Sequence, residues 1–286
     1  MSALGTRLAL GLLWLLSHLP LRVLAALGWG LGGLLYPLAS SRRRIALRNL
    51  ELCFPDKPLA EREAIAREHF RWLARSLLER AVLWYAPPER IRRLIQFEGD
   101  IGLAERVYQT EGRATMWLCP HFVGLDVAGA AILLCQPRPG ASIYQRQSNP
   151  VIDAAMKRGR LRFGDAEIFP RSDSVKPLFR AVKQGRGFFN LPDMDFGRKD
   201  AAFVPFFGVP AATLLAPSRM ARALHMVVQP VIAETLPGGQ GWRVHFRPPL
   251  EGFPTADAEA DTAALNHYIE SEILKCPSQY LWVHKR

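Results

Sequence analysis

The sequence predicts an α/β fold: a β-sheet covered by helices, with an apolar helical segment in front of it. Two observations predict this. From about residue 113 onward, short apolar runs alternate with segments of helical spacing, the pattern of strands joined by covering helices. Before that, residues 3–39 are strongly apolar, with only Arg7, His18 and Arg22 breaking the character. At 286 residues the chain can bury a sizeable core, as one large domain or two small ones.

As one helix, residues 3–39 would reach roughly 55 Å at ~1.5 Å per residue, too long for a ~30 Å hydrocarbon core. Pro20 therefore bends or divides the segment. A bent span and an interfacial hairpin both fit. Arg42, Arg43, Arg44 and Arg48 crowd directly behind it. Such clusters stay cytoplasmic, so the rest of the chain is expected on the cytoplasmic side. A cleaved signal peptide is the rival reading, disfavoured because the positive cluster follows the apolar stretch instead of preceding it. Residues 1–40 are thus the expected membrane anchor and 41–286 the folded domain.

Residues 59–86 have helical spacing, with Ile65, Phe70, Trp72, Leu73, Leu77, Leu78 and Leu83 on one broad apolar face and Pro87-Pro88 as its stop. ATMWLC then reads as a strand and about 123–135 as a helix. ASIYQ leads to a helix at about 150–162, and AEIF to one at about 173–184. GFFNLP and FVPFF follow, then a helix at about 213–224. HMVVQPVIAE, WRVHFR and a helix near 259–275 complete the chain. FVPFFGVPA is interrupted by prolines and fits a wall of a hydrophobic groove better than a regular strand.

A net charge of +11 points to an anionic partner: nucleic acid, anionic lipid or a phosphorylated substrate. The four cysteines lie far apart with no CxxC pair, which argues against a zinc site and a disulfide framework. From Arg138 to Arg186 eleven basic residues face four acids, so this stretch is where an anion would bind unless it is simply a solvated face. Arg146 directly follows a predicted strand, where α/β sheets present ligand-binding groups, and a guanidinium there could clamp a phosphate.

Within CPHFVGLD, 119–126, Pro120 ends the strand and His121 sits at the strand-to-helix turn. In one continuous helix His121 and Asp126 would be about 140° out of register. They meet only if the loop folds the imidazole back over the first turn. Asp126 would then hold one ring nitrogen and leave the other as a base, the logic of a catalytic triad without its nucleophile. The bland alternative is a structural histidine beside a first-turn acid. No GxSxG supplies a nucleophile, so a substrate hydroxyl would serve, and the reaction would be transfer to an alcohol. Asp193 and Asp195 share a face if their segment is extended. They could bind a metal, accept from a sugar, or cap a turn.

Together these stretches resemble the late acyltransferases of lipid A biosynthesis, the lauroyl/myristoyl transferases of Gram-negative bacteria. The resemblance covers the apolar N-terminus, RRRIALRNLELCFP (42–55), HFVGLD (121–126), YQRQSNPVIDAAMKRGRLRFG (144–164), PDMDFGRKDAAFVPFFGVPAAT (192–213) and the terminal PSQYLWVHKR. The HxxxxD/E box is shared by many glycerolipid acyltransferases; the PDMDFG and FVPFF segments are more specific. Two departures stand out: many members carry Glu where Asp126 stands, and relatives usually continue beyond Arg286. The resemblance implies a glycerophosphate-acyltransferase-like sandwich, a mixed sheet covered by helices. It implies transfer of a fatty acyl chain from acyl carrier protein to a hydroxyacyl hydroxyl of a Kdo-bearing lipid A precursor, without a covalent intermediate. His121 and Asp126 would be catalytic, and Arg146, Asn149, Arg160, Asp193 and Asp195 substrate-binding. The carrier thioester would be a co-substrate, with no cofactor, metal or nucleic acid. The catalytic domain would face the cytoplasm at the inner membrane, among its lipids. Rival readings are another lipid acceptor, such as a lysophospholipid or aminolipid, a non-catalytic lipid-binding protein, and, more distantly, a metal hydrolase using His121, Asp193 and Asp195.

Overall fold

The computed structural model describes residues 3–194 and 200–285. Pro20 divides the apolar N-terminus into α1 (Ala3–Leu16) and α2 (Leu21–Leu38). Next come α3 (Ser40–Cys53), α4 (Leu59–Tyr85) and α5 (Pro88–Leu94), then β1 (Ile95–Gly99) and α6 (Leu103–Glu111). The alternating part holds β2 (Thr115–Leu118), α7 (Leu125–Cys135), β3 (Gly140–Tyr144), α8 (Pro150–Arg160), β4 (Ala166–Pro170), α9 (Lys176–Lys183) and β5 (Gly187–Asn190). A hairpin of β6 (Ala201–Phe206) and β7 (Val209–Leu214) precedes α10 (Ala216–Ala223), β8 (Val227–Thr235), β9 (Trp242–Phe246) and α11 (Ala258–Lys275).

Seven strands form one sheet in the order β1-β9-β8-β2-β5-β3-β4. All neighbours are parallel except β8 and β9, so the sheet is mixed. β2 lies near its centre with all four residues buried, as expected of a parallel strand covered on both faces. Its side chains serve two cores. Trp117 packs with α7, β8 and β9, while Met116 and Leu118 pack with α9, α10 and α11.

FVPFF is a strand after all. Two prolines, Pro205 and Pro210, face each other in the β6–β7 ribbon. A two-stranded ribbon has only edge strands, and a proline lacking its N–H is tolerated on an edge. The segment 88–112 holds α5, β1 and α6, which periodicity did not reveal: each is short, and β1 is largely exposed.

α2 runs antiparallel along α4 at backbone contact. A Cβ on Gly28 would come within 2.6 Å of Arg75 Cα, and one on Gly32 within 2.3 Å of Arg71 Cα. Leu21 and Leu24 belong to the same core as Val82, Trp117 and Trp242. The opposite faces stay apolar and exposed: Leu4, Leu8, Leu12 and Leu15 on α1, and Val23, Leu27, Leu31, Leu34 and Leu38 on α2. α2 is long and apolar enough to cross a membrane by length and composition, but a third of it is buried within the protein.

Candidate active site

β2 and β5 are adjacent parallel strands, paired from Met116↔Phe188 to Leu118↔Asn190. Two residues beyond each strand stands a proline, Pro120 or Pro192, and one residue further a polar side chain, His121 or Asp193. Two in-register parallel strands that end alike deliver those side chains to the same point on the sheet edge. There His121 Nδ1 lies 2.7 Å from Asp193 Oδ1. The His121 backbone N–H donates to the same carboxylate, 2.9 Å to Oδ2 and 3.1 Å to Oδ1. The Asp193 side chain is fully buried, whereas the imidazole keeps 13% of its surface exposed. A carboxylate against Nδ1 makes that nitrogen the N–H donor and leaves the lone pair on Nε2.

The expectation that Asp126 holds the imidazole is thereby corrected. The loop does not fold His121 back over the first turn of α7, because Asp193 has taken the ring. Asp126 turns instead toward two arginines. Arg160 approaches Oδ1 through Nε at 2.9 Å and Nη2 at 2.8 Å. Arg80 Nε lies 2.9 Å from Oδ2, an ion-pair distance without hydrogen-bond alignment. Burial alone would raise the Asp126 pKa; Arg160 and then Arg80 outweigh it and hold the carboxyl below its ordinary range. Arg160, expected to touch substrate, is ion-paired with Asp126 at the edge of the apolar cavity, and Arg80 carries no signal in the sequence.

Asn149 caps α8, accepting from Val151 N and Ile152 N, and its amide donates to Thr6 Oγ1 of α1 at 2.9 Å. Asn-Pro at a helix start is a capping signal, so its position has a local structural reason. Arg146 is exposed, 3.6 Å from Asp173. Asp195 lies outside the described residues. Cys119 precedes the motif but is buried, and burial first, then Asp193 and Asp126, push its thiol well above the ordinary range. It stays a protonated thiol and not a nucleophile.

Two cavities flank these residues. One holds His121, Asp193, Asn49, Cys53, His284 and Lys285, with Phe206, Ala211 and Tyr280 as apolar walls. The other is almost wholly apolar. It is lined along α7 by Leu125, Gly129 and Leu133, and across by Trp84, Ile143 and Phe189. The start of α7 and the stretch 191–193 stand between them, Leu191 lining the apolar cavity and Asp193 the polar one. A base at the edge of a polar cleft, beside an apolar chamber, suits proton abstraction from a substrate with a long hydrocarbon part.

The profile of the bacterial lipid A biosynthesis acyltransferases matches residues 2–286. The chain is 35% identical to the lipid A biosynthesis palmitoleoyltransferase of Escherichia coli (strain K12), over 98% of this chain and 90% of that one. It is 33% identical to the lauroyltransferase of the same organism over the same shares. To the myristoyltransferase it is 32% identical, over 87% of this chain and 76% of that one. The chain belongs to the bacterial lipid A biosynthesis acyltransferase family and is an acyltransferase.

Proposed function

We propose that the protein transfers a fatty acyl chain from acyl carrier protein to a hydroxyacyl hydroxyl of a Kdo-bearing lipid A precursor, with His121 as general base and Asp193 as its orienter. The observation that carries the mechanism is the 2.7 Å contact between His121 Nδ1 and the buried Asp193 carboxylate. Nε2 takes the proton of the acceptor hydroxyl as its oxygen attacks the thioester carbonyl. The tetrahedral oxyanion collapses, the C–S bond breaks, and the imidazolium returns its proton to the departing thiolate. Asp193 stabilises the imidazolium formed between these steps. The backbone amides of Val123 and Leu125 already donate to Gln279 and Phe122 carbonyls, so they are engaged before any oxyanion forms.

The apolar cavity beneath α7 is read as the chamber for the donor acyl chain. The relatives are named for three different chains, so family membership leaves chain length open, and the chamber is read as what sets it. Asp126, neutralised by Arg80 and Arg160, sits in its lining and pins α7 to α4 and α8.

The exposed leucines of α1 and α2 are read as the face that enters the inner membrane, with the folded domain on the cytoplasmic side. Arg71 stacks on Trp29 and Arg67 on Tyr36, so charged residues of α4 accompany α2 along much of its length. A fully spanning α2 would draw them into hydrocarbon, at a cost of several kcal/mol. This favours a hairpin lying in the interface.

A reconstituted assay with acyl carrier thioester tests the reading, offering the Kdo-lipid A precursor beside lysophosphatidate. His121→Ala should lower transfer by about 10² to 10⁴-fold with the fold intact. Equal use of lysophosphatidate, or near-normal transfer by a folded His121→Ala protein, would sink it.

A further inference from the structure

Two conspicuous stretches, RRRIALRNLELCFP near the start and PSQYLWVHKR at the end, have no part in the chemistry above. The structure brings them together at the polar cavity. The Asn49 amide donates to two carbonyls of the terminal segment, Trp282 at 2.8 Å and His284 at 2.7 Å. Arg42 adds a bond to the Val283 carbonyl at 3.1 Å. The same segment is stitched to the catalytic loop: Leu281 N–H donates to the His121 carbonyl at 2.9 Å, and Phe122 bridges to Tyr280. Two side chains of α3, Asn49 and Arg42, thus hold a strap whose other edge is bonded to His121 itself.

The strap ends in His284 and Lys285, both lining the cavity that holds His121. Lys285 is exposed and has no ion pair among the described residues. Asp193 is the one carboxylate among the cavity's described lining residues, and it is engaged by His121. Burial first, then Arg42 and His121, hold the His284 pKa below its ordinary value, so near neutral pH its ring is an uncharged hydrogen-bond donor. A cation and a neutral N–H donor beside the base, with no unengaged carboxylate among the described lining residues, form a receptor for an anion.

We propose that His284 and Lys285 bind an anionic group of the acceptor, a phosphate or a sugar-acid carboxylate, and that Asn49 is the positioning residue that presents them. The anion's assignment to the acceptor rests on the acyl-transfer reading; the site itself does not.

The test uses the full chain in detergent. Acceptor lipid is titrated by calorimetry, and initial rates are measured with acceptor and donor varied separately. Lys285→Glu should weaken acceptor binding and raise acceptor KM by about tenfold or more, with donor KM unchanged and kcat within about twofold. Lys285→Arg should restore most of the loss. Asn49→Ala should move acceptor KM in the same direction. Combined with Lys285→Glu it should cost less than the product of the two, as expected of residues acting through one strap. Acceptors lacking phosphates, or lacking the sugar-acid carboxylates, identify the group: the Lys285→Glu defect should vanish with the one that Lys285 holds. Unchanged acceptor affinity in Lys285→Glu would overturn the site, as would a change confined to donor KM. Wild-type protein that binds acceptor through Lys285 yet transfers no acyl chain would support the site and overturn the acyl-transfer reading instead.

Discussion

Replacing Asp193 by asparagine changes one atom's chemistry at the hinge of the mechanism. In the native structure Oδ2 is the nearer acceptor for the His121 backbone N–H, at 2.9 Å, while Oδ1 faces Nδ1 at 2.7 Å. Asparagine has only one oxygen. The buried backbone N–H donor must keep it, since an orphaned donor costs about 1–3 kcal/mol. The amide NH₂ is then forced toward Nδ1, which must become the acceptor. The proton moves to Nε2, and the lone pair that should take the substrate proton is gone. Loss of the negative charge also destabilises the imidazolium. Both effects fall on kcat, and together they predict a loss of about 10² to 10⁴-fold, the range for an Asp→Asn change behind a catalytic imidazole. Single-turnover acyl transfer, with thermal unfolding as a check on folding, measures it. Asp126→Asn is the internal control: it leaves the imidazole untouched and weakens two arginine contacts, so it should cost stability more than kcat. A folded Asp193→Asn enzyme with near-normal kcat, or an Asp126→Asn enzyme equally disabled in kcat, would refute the reasoning.

A Cβ on Gly129 would meet Phe189 at 3.7 Å, ordinary contact, so the backbone tolerates a side chain that enters the apolar chamber. Gly129→Leu should shift product toward shorter chains in a competition between carrier thioesters read by mass spectrometry; an unchanged distribution would remove the chamber from chain selection. Gly28→Ala and Gly32→Ala press a methyl into the α4 backbone and should each cost about 1–3 kcal/mol, seen as a lowered Tm. His69 is buried, donates Nδ1–H to the Ser278 carbonyl, and has its pKa lowered to about 4 by burial. The unfolded chain therefore binds the extra proton more readily between pH ~6.5 and 4, and stability should fall by about 3 kcal/mol as pH drops through that window. His69→Gln should flatten this dependence in denaturant titrations, and a slope identical to wild type would exclude His69 as its source. Leu27→Asp with Leu34→Asp should release the protein from anionic vesicles without changing its fold, judged by flotation and circular dichroism. Retained binding would mean that the α2 face is not the one in contact with lipid.

What the sequence determined by itself is local. The alternation after residue 113 placed most strands and helices within a few residues, because hydrophobic period and Pro or Asn stops are properties of adjacent positions. Pro20 divided the apolar segment for the same reason, and His121 was legible as a polar residue at a strand's end. What needed the tertiary structure was every pairing across distance. The sequence points to a partner for His121 five residues away, yet it lies 72 positions on, after β5. β2 and β5 become neighbours only because β3 and β4 are placed to one side, and strand order leaves no trace in periodicity. Asp126 and Arg160, expected from the sequence to be catalytic and substrate-binding, pair with each other in the fold, since a buried carboxylate must find its counter-charge. Asn49 is one polar residue in the arginine-rich α3 and carries no local signal of its own. Its role appears only when the two ends of the chain meet over the same histidine.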